Sequence, residues 1–508
     1  MKKQKKTKKD FSGKTIRRRD FLKMTSAAAM GFALSSCRSI LPENLDNPKA
    51  NKGGYNILFV FADQMHGFAM GCMGNPDVKT PNLDRIAAEG ALFRNTYSCY
   101  PVCTPYRGIL MTGRYASQTG IVENEMAVTA NERTLAAALN DGGYRTSYIG
   151  KWHLGGKDNI AVPPQLRAGF TDFIGYQCYN DFLDQVWFFD ENGSKIDCKK
   201  HRTDATTDIA IERLEKIKDK KFAMFVSYQN PHYPEQPLKE YEDMYANVKI
   251  SRRPNCQDID PYTRTFSPPR TAENDPVYKK YNKNIDTYLK LYYAMITQLD
   301  HNIGRLLNKL QELGLEQKTV VVFTSDHGDM QGSHGLKNKN IFYDESVRVP
   351  LIVKVPGGPK GIVSGELVSS VDLFPSILDY ASLPKEKSAE GISFIPLTMG
   401  KKQKLAEAVF SEGGDVPKSE GGINKKKWFM VREGKYKLAI TQDNFAPTHL
   451  FDLEKDPYEM NNLLEDKNNA EIKAIFERLQ DRIKAWHKDV MKRATPKAER
   501  KNSEKTKL

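Results

Sequence analysis

Residues 55–63 read Tyr-Asn-Ile-Leu-Phe-Val-Phe-Ala-Asp, an almost unbroken apolar run that ends on a carboxylate. A short apolar run of this kind is typical of a strand that is buried on both faces of a sheet. Two further apolar runs follow along the chain, at residues 222–227 and 319–323. Residues 144–149 are more polar and are predicted as a short strand, because they directly follow the Gly142-Gly143 pair that ends a predicted helix. We therefore expect four buried strands that belong to one central sheet.

Segments with the apolar spacing of amphipathic helices separate these strands. They are predicted at residues 80–90, 134–142, 204–218 and 281–313. Strands that alternate with helices form a mostly parallel sheet with helices on both faces. The sequence therefore predicts an α/β fold for this part of the chain.

Side chains that can act as acids, bases or metal ligands stand directly after all four predicted strands. They are Asp63, Lys151, His153, His232, Asp326 and His327. In parallel α/β sheets, ligands bind beyond the carboxyl ends of the strands. Four strands that deliver such side chains to one edge indicate a catalytic site there.

The net charge of +14 is confined to the two ends of the chain. Residues 1–23 carry eleven Lys or Arg against two Asp, and residues 492–508 carry seven against two Glu. These two ends account for the whole net charge, so the chain between them is close to neutral. A nucleic-acid-binding face needs clustered positive charge on the folded body. The charge pattern therefore gives no support for a nucleic-acid partner.

The N-terminus has the features of an export signal. Arg18 and Arg19 precede a short Ala-rich apolar run at 24–34, far shorter than the roughly 20 residues that span a bilayer. This order resembles a twin-arginine signal, and the Leu-Ser-Ser-Cys that ends at Cys37 resembles the lipobox of bacterial lipoproteins. The resemblance implies lipidation of Cys37 and an exported protein anchored to a membrane, in the periplasm or on the cell surface.

From about residue 385 the pattern changes to short apolar stretches separated by Gly-containing turns, followed by a helix predicted at 469–488. This pattern is typical of a small antiparallel sheet with one helix. We therefore divide the chain into five parts. They are a signal segment at 1–37, a linker at 38–54, a catalytic domain at 55–385, a C-terminal subdomain at 386–490 and a basic tail at 491–508.

The segment 102–114, Val-Cys-Thr-Pro-Tyr-Arg-Gly-Ile-Leu-Met-Thr-Gly-Arg, holds the strongest chemical signal. Pro105 is a typical first-turn residue of a helix, which places Cys103 just ahead of the predicted helix N-terminus. Free backbone N–H groups at that end favour an anion, and Arg107 one turn on adds a positive charge. This arrangement indicates transfer of an oxyanion group, whereas a small buried cysteine is the simpler alternative.

The same segment resembles the sulfatase signature, in which Cys-x-Pro-x-Arg is followed by Thr-Gly-Arg. Matching motifs occur between about residues 55 and 465: Asp63-Gln64, 80–84, 150–153, 230–232, 325–328, 343–346 and 451–457. The chain is thereby identified as a member of the formylglycine-dependent sulfatases. The resemblance implies the alkaline-phosphatase-like fold of that family.

In this family the signature cysteine is oxidised after translation to Cα-formylglycine. The resemblance therefore implies that a formylglycine-generating enzyme modifies Cys103. The hydrated aldehyde carries two hydroxyls, of which one attacks the sulfate sulfur and the other drives release of inorganic sulfate. A serine would stay trapped as its sulfate ester, because it has no second hydroxyl.

The resemblance also implies a divalent-metal site that includes the modified Cys103. Asp63, Gln64 and Asp326 offer the hard oxygen ligands that suit Ca²⁺ or Mg²⁺. His327 occupies a position where the family carries Asn, Gln or His, and an imidazole is less typical of Ca²⁺. We expect Ca²⁺ and leave Mg²⁺ open.

Further catalytic roles follow from charge and from the resemblance. Arg107, Lys151 and a later lysine would neutralise the charge that grows on the sulfate oxygens. His153 is expected to act on the diol, and His232 to protonate the leaving oxygen.

Two residues compete for the role of the later lysine. Counting back from the motif at 343–346 places the family lysine on Lys339, whereas Lys337 occupies a position that is usually uncharged. We therefore assign the role to Lys339 and keep Lys337 as the alternative.

Together these inferences predict a sulfuric ester hydrolase that acts on a sulfated small molecule or glycan. A phosphodiesterase or phosphonate monoester hydrolase of the same superfamily is the alternative, because it also transfers a tetrahedral oxyanion. A lipid-anchored glycan-binding protein with an inert site is the third hypothesis. Substrate specificity is expected to lie in the loops at 154–203 and 233–275 and in the C-terminal subdomain.

Overall fold

The computed structural model describes residues 53–129, 131–156, 159–259, 284–418 and 423–496. The predicted signal segment, with Cys37, lies outside the described residues. The described residues form a large central sheet, helices on both of its faces and a second, smaller sheet.

A sheet of eleven strands forms the centre of the described part of the chain. Its strands are β1 (Asn56–Asp63), β2 (Ala91–Tyr97), β3 (Arg145–Lys151), β4 (Asp172–Tyr176), β5 (Val186–Phe189), β6 (Lys195–Cys198), β7 (Phe222–Pro231), β8 (Thr319–Ser325), β9 (Arg348–Val349), β10 (Leu351–Lys354) and β11 (Ile362–Ser369). They are arranged in the order β11-β2-β10-β8-β1-β7-β3-β4-β5-β6, and β9 pairs with β2.

The middle of this sheet is parallel. β1 lies between β7 and β8, β3 lies beside β7, and β4 lies beside β3, all in the same direction. The outer strands mix directions, since β10 runs antiparallel to β8 and β2, and β5 runs antiparallel to β4 and β6. The predicted mostly parallel sheet is confirmed, and the four strands predicted from the sequence lie side by side at its centre.

Helices cover both faces of the central sheet, and one further helix packs on the smaller sheet. They are α1 (Pro81–Glu89), α2 (Cys103–Thr112), α3 (Ala116–Thr119), α4 (Leu135–Asp141), α5 (Arg202–Ile217), α6 (Lys239–Asp243), α7 (Ile285–Glu312), α8 (Asp344–Val347), α9 (Leu373–Tyr380), α10 (Ile395–Thr398) and α11 (Ala470–Lys492). Short 3₁₀ turns lie at Gly71–Met73, Pro164–Leu166, Glu316–Lys318, Ser370–Asp372 and Leu463–Glu465. In the part of the chain that the structure describes, no helix combines the length and the apolar composition that a membrane crossing requires.

Alternate side chains of β1 enter two different hydrophobic cores. Leu58 and Val60 pack with apolar side chains of α1, α5 and α7 on one face of the sheet. Phe59 and Phe61 pack with those of α2, α4 and α9 on the other face. A strand that buries both faces needs apolar residues at successive positions, which explains the nearly unbroken run in the sequence.

The start of α2 differs by one residue from the sequence-based expectation. Cys103 is the first residue of the helix rather than the residue ahead of it, because Val102 is the last residue with extended backbone angles. The Cys103 side chain is buried. It therefore lies within the first turn of α2, where backbone N–H groups lack partners inside the helix.

The C-terminal part of the chain forms a separate antiparallel sheet. Its four strands, in spatial order, are β12 (Ala408–Pro417), β13 (Ile423–Glu433), β14 (Tyr436–Thr441) and β15 (Pro447–Asp452). One face of this sheet packs on Leu479 and Ile483 of α11, and the other packs on Ile341 and Phe342. The predicted small antiparallel sheet with a terminal helix is confirmed.

Candidate active site

The side chains predicted from the strand ends meet at the carboxyl edge of the parallel strands. Strands β1, β3, β7 and β8 supply most of them, helix α2 supplies the cysteine and the arginine, and the loop after β8 supplies the lysine. The structure brings together all the residues that the sequence analysis assigned to metal binding or catalysis: Asp63, Gln64, Cys103, Arg107, Lys151, His153, His232, Asp326, His327 and Lys339.

Four side chains form a group that could hold a metal ion. Asp63, Cys103, Asp326 and His327 each offer one ligand atom, and these atoms lie within 4.8 Å of one another. The His327 Nε2 atom lies 3.2 Å from the Cys103 sulfur and 3.4 Å from an Asp326 carboxylate oxygen. Two buried carboxylates this close to each other require nearby positive charge to stay ionised.

The backbone around residue 327 fixes the direction of the imidazole. His327 Nδ1 lies 3.0 Å from the Gly328 carbonyl oxygen, which leaves Nε2 facing the other ligands. A ligating imidazole that is held through its second nitrogen is typical of metal sites. Gly328 allows this path because a Cβ atom there would lie 1.9 Å from the Glu345 carbonyl oxygen.

Two lysines approach the Cys103 sulfur from different elements. Lys151, at the end of β3, lies 2.6 Å from an Asp63 oxygen and 3.8 Å from the sulfur. Lys339 lies 3.5 Å from the sulfur and donates a hydrogen bond of 2.6 Å to the Gln64 amide oxygen. The sulfur is thus flanked by two positive charges.

Arg107 extends from α2 into the same cluster and is buried. One guanidinium nitrogen lies 3.2 Å from Asp63 and 3.4 Å from Asp326. Another nitrogen donates to the hydroxyls of Tyr148 and Ser227 at 3.1 and 2.8 Å. Arg107 therefore compensates both buried carboxylates, and its neutral partners hold the guanidinium plane in place.

The electrostatics favour an anion at residue 103. Burial opposes ionisation of the thiol, but Lys151 and Lys339 outweigh it and hold the pKa of Cys103 well below its ordinary value. Burial and Cys103 also oppose ionisation of Asp63, yet Lys151 and other nearby cations keep the pKa of Asp63 below its ordinary value. Burial and the charge of Asp63 raise the pKa of Asp326 to about 6.

The two histidines at the site have opposite pKa shifts. Burial opposes protonation of His153, but the negative charge of ionised Cys178 and the hydrogen bond with Cys103 raise the pKa of His153 to about 9. Burial, and then the positive charges of the two lysines, lower the pKa of His232 to about 4. With sulfur at residue 103, these shifts favour a protonated His153 and a neutral His232 near pH 7.

The chain leaves β3 through a conformation that delivers His153 to the site. Gly150 has φ +106°, and a Cβ atom there would lie 2.1 Å from the Ser227 carbonyl oxygen on the neighbouring strand. His153 itself has φ +50°, and its carbonyl oxygen accepts a hydrogen bond of 2.6 Å from the Thr104 hydroxyl. This bond ties His153 to the first turn of α2.

The donor set fits a hard divalent cation. Carboxylate and amide oxygens are the ligands that Ca²⁺ and Mg²⁺ prefer, and Asp63 with Asp326 supply the carboxylates. Gln64 has φ +68°, its backbone N–H donates to Asp326 at 3.0 Å, and its side-chain oxygen accepts from Lys339. His327 adds a nitrogen donor, which widens the range of metals that suit the group.

The structure places the two candidate lysines in different surroundings. The Lys339 ammonium lies 3.5 Å from the Cys103 sulfur. The Lys337 ammonium lies 3.6 Å from the Glu235 carboxylate and 4.4 Å from the centre of the Tyr288 ring. The contact with the sulfur favours Lys339 for the role assigned to the later lysine.

Three residues near the site were not predicted from the sequence. Asp329 accepts hydrogen bonds from the Gln64 amide and from the Tyr288 hydroxyl, and Asn338 accepts one from the same amide at 3.2 Å. Burial opposes ionisation of Cys178, but the nearby lysine and histidine lower the pKa of Cys178 to about 7. Asp329 follows β8 closely enough for its position to have been a signal, whereas Cys178 follows β4, which the sequence analysis did not predict.

A cleft of about 180 Å³ opens beside the cluster. Its lining combines residues next to the cysteine, residues of the loop that carries Lys339, and residues of the C-terminal sheet: Val102, Asn124, Lys339, Asn340, Asp415 and Lys425. The C-terminal sheet therefore forms one wall of the space that leads to residue 103.

The comparisons with known proteins agree with this geometry. The sequence profile of the sulfatase family matches residues 55–383, and that of the N-sulphoglucosamine sulphohydrolase C-terminal region matches residues 332–489. The chain is 32% identical over 470 residues to the ulvan-active sulfatase of Formosa agariphila, with 90% of this chain and 85% of that protein covered.

Solved structures show the same similarity. The structure of BT4656 in complex with its substrate D-glucosamine-2-N,6-O-disulfate has a TM-score of 0.74 and 25% identity, with 86% of this chain and 98% of that chain covered. The phosphonate monoester hydrolase of Agrobacterium radiobacter has a TM-score of 0.68 and 21% identity, with 86% and 96% covered, and shares the fold alone.

The family match covers the whole central sheet and every residue of the candidate site. Fold and site together define a hydrolase that acts on sulfate esters. The chain belongs to the sulfatase family, with the alkaline-phosphatase-like sulfatase fold and a small C-terminal antiparallel sheet.

Proposed function

We propose that this sulfatase removes sulfate groups from glycans. The names of the ulvan-active relative and of the neighbour bound to a disulfated glucosamine support a sulfated saccharide as substrate. The observation that carries the proposal is the position of Cys103. Its sulfur lies in the first turn of α2, beside two carboxylates and two lysines, where a sulfate group would meet compensating charge.

We propose further that a formylglycine-generating enzyme converts Cys103 to Cα-formylglycine. The hydrated form supplies one hydroxyl that attacks the sulfate sulfur and a second hydroxyl whose loss of a proton releases sulfate. The surroundings of residue 103 support this assignment. The N-terminus of α2 places the positive end of the helix dipole at residue 103, and Lys151 and Lys339 offer ammonium groups.

Asp63, Gln64, Asp326 and His327 would hold the divalent cation, with Ca²⁺ as the expected metal and Mg²⁺ as the alternative. A cation at this place supplies Lewis-acid stabilisation to the nucleophile and to the sulfate oxygens. It would also favour the ionised form of Asp326, which burial and Asp63 oppose.

Arg107 and the two lysines compensate different negative charges at the site. The Arg107 guanidinium forms ion pairs with Asp63 and Asp326 and so holds both carboxylates in place as ligands. Lys151 and Lys339 lie next to residue 103, where they would bind the sulfate oxygens and compensate the charge that grows in the transition state.

His153 and His232 are assigned to proton transfer. Conversion of Cys103 removes one of the two cysteine side chains that raise the pKa of His153. The pKa of His153 then falls toward the working pH, as a general base requires. A bound sulfate ester adds negative charge beside the lysines that lower the pKa of His232. This charge favours protonation of His232, which can then pass a proton to the leaving alcohol oxygen.

We also propose that the protein is exported and anchored to a membrane through lipidated Cys37. The support comes from the sequence, in which paired arginines, a short apolar run and a lipobox-like tetrapeptide follow in the order of a lipoprotein signal. The destination is the periplasm or the cell surface.

A turnover comparison tests the substrate class. Wild-type protein and Cys103→Ala are incubated with sulfated monosaccharides, an aryl sulfate and an aryl phosphonate monoester. We expect wild-type kcat/KM for at least one sulfated saccharide to exceed that for the phosphonate by about tenfold or more, and the variant to be inactive. A preference for the phosphonate monoester would favour the alternative hydrolase activity.

A further inference from the structure

Asn340 joins the C-terminal sheet to the loop that carries Lys339. The backbone N–H of Asp415 and the indole N–H of Trp428 both donate to the Asn340 carbonyl oxygen, at 3.0 and 3.1 Å. The backbone N–H of Gly414 donates to the Asn340 side-chain oxygen at 2.9 Å. Strands β12 and β13 thus hold this one residue through three hydrogen bonds.

The opposite side of Asn340 holds the cysteine segment. Its backbone N–H donates to the Pro101 carbonyl oxygen at 3.1 Å, two residues ahead of Cys103. The preceding residue, Lys339, reaches Gln64 and the Cys103 sulfur. A single residue is therefore bonded to the C-terminal sheet and the cysteine segment, and it directly follows the lysine of the site.

The backbone on both sides of Lys339 lies in the left-handed region. Asn338 and Asn340 both have φ +73°. Asparagine adopts this region more readily than most residues, but it still costs free energy and persists only when the surroundings impose it. Asn338 is held by its contacts with Gln64 and with the Asp329 carboxylate, and Asn340 is held by the C-terminal sheet.

This restraint matters because a lysine side chain is long and flexible. Its ammonium occupies one place only if the backbone that carries it is fixed. Preorganised charge stabilises a transition state more than charge that has to be collected during the reaction. The bonds to Asn340 fix that backbone from outside the catalytic sheet.

We propose that Asn340 is a positioning residue through which the C-terminal sheet holds the Lys339 ammonium against residue 103. The inference rests on the proposed function, in which Lys339 compensates charge on the sulfate. It assigns the C-terminal sheet a part in catalysis in addition to its part in lining the cleft.

A double-mutant cycle tests this proposal with 4-nitrophenyl sulfate as the substrate. Asn340→Ala should lower kcat/KM by about tenfold or more in the wild-type background, because small displacements of a charged group cost that much. In a Lys339→Ala background the same substitution should change kcat/KM by less than about twofold, since the residue acts through the lysine. Equal losses in both backgrounds would overturn the proposal.

Two conservative variants test the same link in case Asn340→Ala does not fold. Trp428→Phe removes the indole N–H that reaches Asn340 but keeps an aromatic ring, and should lower kcat/KM by about threefold or more. Trp486→Phe makes the same change on α11, where the indole stacks on Phe410, and should leave kcat/KM within about twofold. Similar losses in the two variants would contradict a specific link through Asn340.

A third readout needs no turnover. The Lys339 amine is acetylated with an N-hydroxysuccinimide ester, and its labelled fraction is measured by mass spectrometry. We expect faster labelling in Asn340→Ala and Trp428→Phe than in wild type and Trp486→Phe, because a released ammonium is more accessible. Unchanged labelling would overturn the positioning role even if the wild-type protein proved inactive on sulfate esters, so the two failures are distinguishable.

Discussion

At residue 103, a helix end, two lysines and a candidate cation site all act on the same atom. The charges that lower the pKa of the Cys103 thiol would equally stabilise an ionised hydroxyl there, because they act on any anion at that position. A thiolate could attack sulfur once but has no second hydroxyl with which to release sulfate. The need for a second hydroxyl favours the proposed formylglycine over an unmodified cysteine at residue 103.

The two lysines near residue 338 make a matched test of the site. Lys339→Met should lower kcat/KM for an aryl sulfate by about 100-fold, because it removes a preorganised charge beside residue 103. Lys337→Met, whose ammonium lies near Glu235, should lower it by less than about fivefold. Circular dichroism would confirm that both variants are folded. The opposite order of losses would transfer the role to Lys337.

Removal of one candidate ligand should remove the metal. Asp326→Ala should lower both the bound Ca²⁺, measured by elemental analysis, and kcat/KM, the latter by about 1000-fold. Asp300→Asn is the control, because Asp300 is also buried but bonds the backbone N–H groups of Asn82 and Leu83 at the start of α1. Full metal content in Asp326→Ala would show that the cation binds elsewhere.

At the level of elements, the sequence predicts best what is most buried. β1, β7 and β8 were predictable because a central parallel strand needs apolar residues on both faces. The more polar β3 was predicted from the Gly142-Gly143 pair that ends the preceding helix. β10 has only four residues, and β11 is exposed or half-buried at four of its first five residues, so their places in the sheet depend on long-range pairing that local pattern does not contain. The same holds for Cys178 and Asn340, which loops bring to the site, whereas Asp329 follows β8 closely enough for its position to have been a signal.

The contact between the C-terminal sheet and the catalytic part contains a buried carboxyl group. Glu412 on β12 accepts a hydrogen bond of 2.9 Å from the Ser117 backbone N–H. Burial raises the pKa of Glu412 to about 7 from an ordinary value of 4.5. The folded state therefore binds this proton more tightly than the unfolded state, so the free energy of unfolding decreases as pH rises from about 4.5 to 7.

Glu412→Gln should remove this pH dependence. Glutamine is neutral at every pH and keeps an oxygen for the Ser117 N–H. Between pH 5 and 8, the free energy of unfolding of wild type should fall by about 2 kcal/mol more than that of the variant, measured by urea denaturation. Glu407→Gln is the exposed control and should follow wild type. An identical pH dependence in Glu412→Gln and wild type would contradict the raised pKa of the buried Glu412 carboxyl group.

At the level of the whole molecule, the site and the start of the described chain lie at opposite edges of the sheet. β1 begins at Asn56 and ends on Asp63, so about 23 Å of extended strand separates its two ends.

The proposed anchor predicts how the protein partitions. Cys37→Ala should abolish lipidation and move the protein from the membrane fraction to the soluble fraction, with kcat/KM per folded molecule unchanged because the site lies elsewhere. Cys256→Ala is a control cysteine outside the signal segment and should stay in the membrane fraction. Membrane partitioning of Cys37→Ala equal to that of wild type would contradict the lipoprotein assignment.

The most direct test of the account is the mass of the tryptic peptide Asn95–Arg107, which contains both Cys99 and Cys103. In active protein, residue 103 should have lost H₂S and gained one oxygen, whereas Cys99 keeps its sulfur and reports on general oxidation. The modified fraction should rise in proportion to specific activity across preparations. Protein with fully unmodified Cys103 that hydrolyses sulfate esters at the same rate as modified protein would contradict the formylglycine mechanism.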